Sequence, residues 1–243
     1  MSPAARSYPD DSVADYARDD EPLLNHGEGA TRKSDEGIYR NLFSGTACIA
    51  QAGIWILAVL VWNGVLSQPP SFFTPHPLLG VSALLLQVQA TLIVQPVTTP
   101  QQKLQGTRIH HLVQLLSVIM FLSAFVIIEM NKIEAGYPHF TSLHGKLGLA
   151  TCITIALQAM MGVVQYFVPV TVLGSVDAGK RIYKYHRWSG HALLLLEMAT
   201  VMAAIENTYA FMGMYIPLSG VLVAILLTLM GVGLRIQKQK LGL

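Results

Sequence analysis

Between residues 46 and 234 the chain runs through six apolar stretches: Thr46–Leu66, His76–Gln95, Ile109–Ile128, Leu143–Val168, Trp188–Glu206 and Ile216–Leu234. Each is close to the roughly 20 residues that an α-helix needs to cross about 30 Å of hydrocarbon. The fourth is longer and would tilt or extend beyond it. In lipid every backbone N–H and C=O must be satisfied within its own segment, so stretches of this kind are helices. The breaks SQPPSFFTPHP and QPVTTPQQ carry the prolines that end one helix and start the next. Only 12% of the chain is charged, against about 25% for a soluble domain. The expected fold is an all-α integral membrane protein, a bundle of six transmembrane helices.

Charge fixes the expected orientation. Fourteen of the sixteen Lys and Arg lie in the N-terminal region, the second and fourth connections (Lys103, Arg108; Lys180, Arg181, Lys184, Arg187) and the C-terminal tail; Lys132 and Lys146 are the other two. The positive-inside rule then puts both termini in the cytosol, and an even number of spans agrees. Nine of the fourteen acids fall in residues 1–44, a polar segment expected to be a disordered cytosolic tail. It reads as neither signal peptide nor transit peptide, so the first span would act as an internal signal anchor. The run Asp19-Asp20-Glu21-Pro22-Leu23-Leu24 fits an acidic dileucine sorting signal, or a chance pattern in an acidic tail, leaving an endosomal or vacuolar membrane and the plasma membrane open. Residues 45–243 form the transmembrane domain. Cys48 and Cys152 both sit in apolar segments without a CxxC motif, which argues against a disulfide framework or a zinc site. Membrane lipid is the expected partner and nucleic acid is not; a homodimer is left open.

Four histidines, His76, His111, His144 and His186, each stand at or near the start of a long apolar segment. Imidazole at the edge of hydrocarbon is costly, and it is the commonest metal ligand. Helices two and four enter from the outside, so His76 and His144 share the outer depth. Helices three and five start from the cytosol, so His111 and His186 share the inner depth. Two facing imidazoles at each depth suit a haem iron, which takes axial ligands from opposite sides of its ring. Gly80 and Gly190, each four residues after a histidine, and Gly145 and Gly148 beside His144, would admit a flat macrocycle. Interfacial histidines or helix caps would explain any one of these placements, but not four that alternate by depth. His110 adjoins His111 and points about 100° away around the helix, which leaves the ligand there open by one residue. His191, His139 and His26 fit the pattern less well.

The motifs Phe73-Thr74-Pro75-His76-Pro77-Leu78-Leu79-Gly80, Arg108-Ile109-His110-His111, Ser142-Leu143-His144-Gly145 and Tyr183-Lys184-Tyr185-His186 with Gly190 occur in that order. Over roughly residues 72–207, helices two to five, the chain resembles the cytochrome b-561 family of ascorbate-dependent transmembrane cytochromes. The resemblance implies two haem b groups held by the central four helices, with His76/His144 and His111/His186 as axial pairs. It implies electron transfer from cytosolic ascorbate to monodehydroascorbate or ferric iron across the membrane. Leu115 stands where family members often have a second histidine, and Glu197, deep in the fifth span, is foreign to the pattern.

Basic residues crowd the cytosolic mouth, where an anionic donor and haem propionates would need them, although positive-inside anchoring accounts for many. Arg108 and Lys184 lie within three residues of a haem histidine and are the best candidates for ligand contact; Lys146 is the outer candidate, with snorkelling as its alternative. Glu197 is either a proton relay or a structural hydrogen-bonding group. A non-haem transporter of metal ions or protons could use the same histidines, and a structural or trafficking protein that has lost its haems is a third possibility.

Overall fold

The computed structural model describes residues 37–97, 99–212, 215–237 and 241. The dileucine run and His26 lie outside them. Six main helices follow one another: α1 (Ala47–Leu66), α2 (Pro75–Val94), α3 (Pro100–Ala135), α4 (Leu143–Phe167), α5 (Val176–Met212) and α6 (Leu218–Gly233). A 3-10 turn at Ile38–Leu42 precedes α1, and a five-residue helical turn at Pro169–Leu173 joins α4 to α5. Among the described residues there is no strand.

Local chemistry sets the boundaries. Pro75 and Pro100 occupy first-turn positions, where a missing N–H is harmless. The Thr99 and Ser142 hydroxyls cap α3 and α4 by accepting from Gln102 N and Gly145 N. Gly136, at φ 68°, closes α3 in the left-handed conformation. The third and fifth apolar stretches prove to be the middles of helices 36 and 37 residues long. Beyond Pro100 at the first helical position, their basic N-terminal segments contain no proline, so the helix continues where hydropathy stops. At about 1.5 Å per residue they exceed the hydrocarbon thickness by some 25 Å.

Five helices, α1 to α5, are long and apolar enough to cross a membrane. The sixth is apolar but has 16 residues, about 24 Å; Pro217 at its N-cap starts it later than the apolar run suggests. The first and last ends of the bundle meet. Thr46 Oγ1 donates to Gly231 O at 2.9 Å, and Arg235 Nη1 donates to Asn41 O at 2.9 Å and Ser44 O at 3.2 Å. Asn41 is fully buried and its Nδ2 donates to Ile93 O at 2.7 Å. Residues 38–44, expected to belong to a disordered tail, are therefore packed against α2 and α6. Burial pulls the Arg235 guanidinium down to about 10, so it stays protonated at neutral pH.

The helices associate as α1 with α6, α2 with α3, and α4 with α5, with α1 also lying along α2. The continuous apolar core lies between α1, α2 and α6 and takes in Leu194, Met198 and Ile205 of α5. Outside it, only 11% of the most apolar part of α3 and 17% of that of α4 is buried. Their exposed Leu112, Ile119, Val126, Leu157 and Val163 suit hydrocarbon rather than water.

Small residues let α1 and α6 touch backbone to backbone, the usual solution in lipid. A Cβ at Gly231 would fall 2.2 Å from Ala50 N, and one at Gly53 would fall 2.5 Å from Ala224 O. Gly231→Ala should therefore destabilise the bundle by about 1–3 kcal/mol, read as a lower melting temperature of the purified protein in detergent. Gly233→Ala, where nothing crowds the position, should leave the melting temperature unchanged.

Candidate functional site

The α2/α3 pair is antiparallel and in strict seven-residue register. His76 Nδ1 bonds Ala124 O at 2.9 Å, Ser117 Oγ donates to Ala83 O at 2.8 Å, and His110 Nδ1 bonds Ala90 O at 3.0 Å. Residues 76, 83 and 90 thus form one stripe on α2, facing 124, 117 and 110 on α3. Ala83, Ala90, Ser117 and Ala124 are all buried; their small side chains bring the carbonyls within reach of the rings. The α4/α5 pair repeats the plan. His144 Nδ1 bonds Thr200 O at 3.0 Å, and Gln158 Nε2 donates to His186 O at 2.7 Å.

One spacing recurs on all four helices. Fourteen residues separate His76 from Ala90, His110 from Ala124, His144 from Gln158 and His186 from Thr200. The bundle therefore carries two histidine levels, about 21 Å apart along each helix.

At one level the His76 and His144 rings lie 6.0 Å apart, inclined by 74°. At the other, the ring that meets His186 is His110, at 6.5 Å and 80°. His111 instead packs on Tyr166 (4.6 Å) and Phe167 (5.0 Å) of α4. The expected His111/His186 pairing is thus not the one the geometry brings together. The reason is helix phase: His110 shares the stripe of Ser117 and Ala124, and His111 is a third of a turn away.

Imidazole nitrogens sit about 2.0–2.1 Å from a bound first-row metal, so two axial rings on one ion have centroids roughly 6 Å apart. Both pairs fit that span. A ligating histidine usually donates its other ring N–H to a carbonyl, which fixes tautomer and orientation. His76, His110 and His144 each have Nδ1 on a backbone carbonyl, leaving Nε2 for an ion. His186 Nδ1 is buried with no hydrogen-bond partner, an unpaired nitrogen on the ring that meets His110.

A cavity of about 1210 Å³ opens around the His110/His186 level, above the roughly 300–1,000 Å³ common for small-molecule sites. Lys103, Lys180, Arg181, Lys184 and Arg187 line its mouth, with Gln87, Gly162, Gly190 and His191 deeper. Gly162 lets His186 approach, since a Cβ there would meet His186 Cε1 at 3.3 Å. Gly190 makes room for the Gln158 amide rather than for a ring, and nothing lies within 4 Å of Gly80. Lys184 lines the cavity as expected; Arg108 is exposed and is not among its lining residues. Lys103 and Arg187, which the sequence places in the basic connections without singling them out for ligand contact, are. Lys146 is exposed beside the His144 level, where Lys132 lies over the Phe140 ring and His139 pairs with Glu129. Deep between the helices, Gln87 Nε2 donates to Glu197 Oε2 at 2.6 Å.

The model of the family described as eukaryotic cytochrome b561 matches residues 53–212, a stretch that holds both histidine levels. The chain is also similar to proteins named transmembrane reductase CYB561D2. It is 29% identical to that of Mus musculus over 135 residues and to that of Homo sapiens over 136, and 28% identical to that of Bos taurus. Each match covers 54% of this chain and 60% of the relative, so the chain spans less than two thirds of the length of the relatives it matches.

Proposed function

The chain belongs to the eukaryotic cytochrome b561 family, and from that premise we propose that it is a transmembrane oxidoreductase carrying electrons from a cytosolic reductant of the ascorbate type to an acceptor on the opposite side, monodehydroascorbate or a ferric chelate. The observation that carries this reading is the pairing of rings at 6.0 and 6.5 Å on two levels, three of the four rings being oriented through Nδ1 by a carbonyl of the neighbouring helix. Two b-type haems would supply one-electron carriage at two depths of the membrane.

His76 and His144 would hold the outer group, and His110 and His186 would hold the inner one. The Ala124, Ala90 and Thr200 carbonyls keep three of the rings in the ligating tautomer. The apolar faces of α2 to α5 keep water out, which together with the axial ligands sets the potentials. Lys103, Lys184 and Arg187 bind an anionic donor, or a propionate, at the cavity mouth. Two levels about 21 Å apart along the helices divide a hydrocarbon layer about 30 Å thick, so neither step has to span it. The basic mouth faces the cytosol, and six spans bring both termini to that side; the short α6 crosses by local thinning of the bilayer. Transport of a divalent metal would ask three or more ligands to converge, whereas these histidines come in pairs, and among the described residues no group of three or more His, Cys, Asp or Glu converges.

Sealed vesicles carrying the purified protein, with a ferric chelate trapped inside and ascorbate added outside, test the reading. Trapped iron should be reduced, and protein-free vesicles should stay oxidised. Replacing a ligand should cost more than the roughly 10- to 100-fold typical of losing an outer-shell partner. His110→Ala should remove one haem equivalent and one component of the reduced α-band. His111→Ala should retain both; if it is the variant that loses a haem, the inner pair has been assigned to the wrong neighbour.

A further inference from the structure

Glu197 is the one acidic side chain among the described residues held deep within the bundle, 2% exposed, and electron carriage as derived above makes no use of it. It lies on α5 between the two levels, eleven residues beyond His186 and three before Thr200. One carboxyl oxygen, Oε2, accepts the Gln87 amide; the other, Oε1, is buried without a partner. The groups that interact with it are uncharged: the Gln87 amide from α2, and the Cys152 thiol, within its electrostatic reach, from α4. No lysine, arginine or histidine among the described residues neutralises it. Held as an anion, a carboxylate so placed is costly in a membrane interior, so added negative charge nearby tips it towards binding a proton.

A purely structural glutamate would use both oxygens, or would be served equally by glutamine. Gln87 also lines the cavity that opens at the basic mouth, so the cavity reaches within one side chain of the carboxyl. An electron arriving at either level adds a negative charge to a region of low dielectric, which raises the affinity of a nearby carboxylate for a proton.

We propose that Glu197 takes up a proton when the chain accepts an electron and releases it when the electron leaves. The balance is one electron from the donor and one proton from cavity water, forming an O–H bond at Oε1; both are given up on oxidation, the electron to the acceptor. The proposal rests on the electron-carrier reading. It adds proton uptake to that reading and makes Glu197 a positioning group for the potential rather than a ligand.

The test is a spectroelectrochemical titration of the purified haem-loaded protein at a series of pH values, for wild type and Glu197→Gln. Complete coupling moves a one-electron midpoint by about 59 mV for each tenfold change in proton activity. In wild type one midpoint should fall as pH rises, with a slope up to that limit; in Glu197→Gln, which can keep the bond to Gln87, the slope should vanish. Redox-difference infrared spectra should show a protonated carboxyl band in wild type that Glu197→Gln lacks. Should Glu197→Gln fail to fold, wild type with isotopically labelled glutamate decides by the same band. A red wild type whose slope and band persist in the variant, or are absent to begin with, overturns the proposal and leaves the electron carrier standing. A wild type that binds no haem overturns both.

Discussion

The hydrogen bond from a histidine ring to a backbone carbonyl of the neighbouring helix is the interaction on which this architecture turns. It occurs three times: His76 to Ala124, His110 to Ala90 and His144 to Thr200. Side-chain hydrogen bonds between membrane helices average only about 0.6 kcal/mol, so their value is positional. Each one fixes a ring's tautomer, leaves its other nitrogen available beside a second ring, and pins two antiparallel helices at one register. Because the first two sit on the same α2/α3 pair, they also set the separation between the levels. The small residues 83, 90, 117 and 124 are what make that approach feasible.

The division of labour among helices follows from the same constraint. The tight contact of α1 with α6, through Gly53 and Gly231, and the apolar core around Leu57, Val88 and Met198 give rigidity without any ligand. The α2/α3 and α4/α5 pairs are firm within themselves but touch each other sparingly. The space between them is where the histidine rings face one another and where the cavity opens. Polar groups in this interior are few and mostly matched, as with Gln51 and Gln89, which exchange bonds of 2.6 and 3.0 Å. Among the exceptions, His186 Nδ1 and Glu197 Oε1 are both on α5, one of the helices that border the cavity.

Much of this was legible in the residues. Hydropathy located all six helices, charge asymmetry grouped the basic connections, and alternation of direction separated the histidines into two depths. Three things escaped it. Hydropathy cannot see a helix that continues through Lys103 and Arg108, or through Lys180 to Arg187, because those residues are helix-permissive but polar. The buried Asn41 and the guanidinium of Arg235 tie residues 38–44 into the fold through hydrogen bonds that no composition reveals. The choice between His110 and His111 depended on phase, and the signal for it was present: His110 stands seven residues before Ser117 and fourteen before Ala124, a stripe of small residues opposite His76, Ala83 and Ala90. Measuring spacing from the small residues rather than from the start of the apolar run points to His110 as the ring that meets His186.

The central claim is that two levels of paired imidazoles each hold one macrocycle. Its most direct measurement is the haem content of the wild-type protein, purified from haem-replete cells and set against protein concentration from amino-acid analysis. The account predicts a ratio near two, with bis-histidine low-spin spectra for both centres. A fully folded preparation with a ratio near one would contradict the two-level arrangement, and a colourless one would contradict the account as a whole.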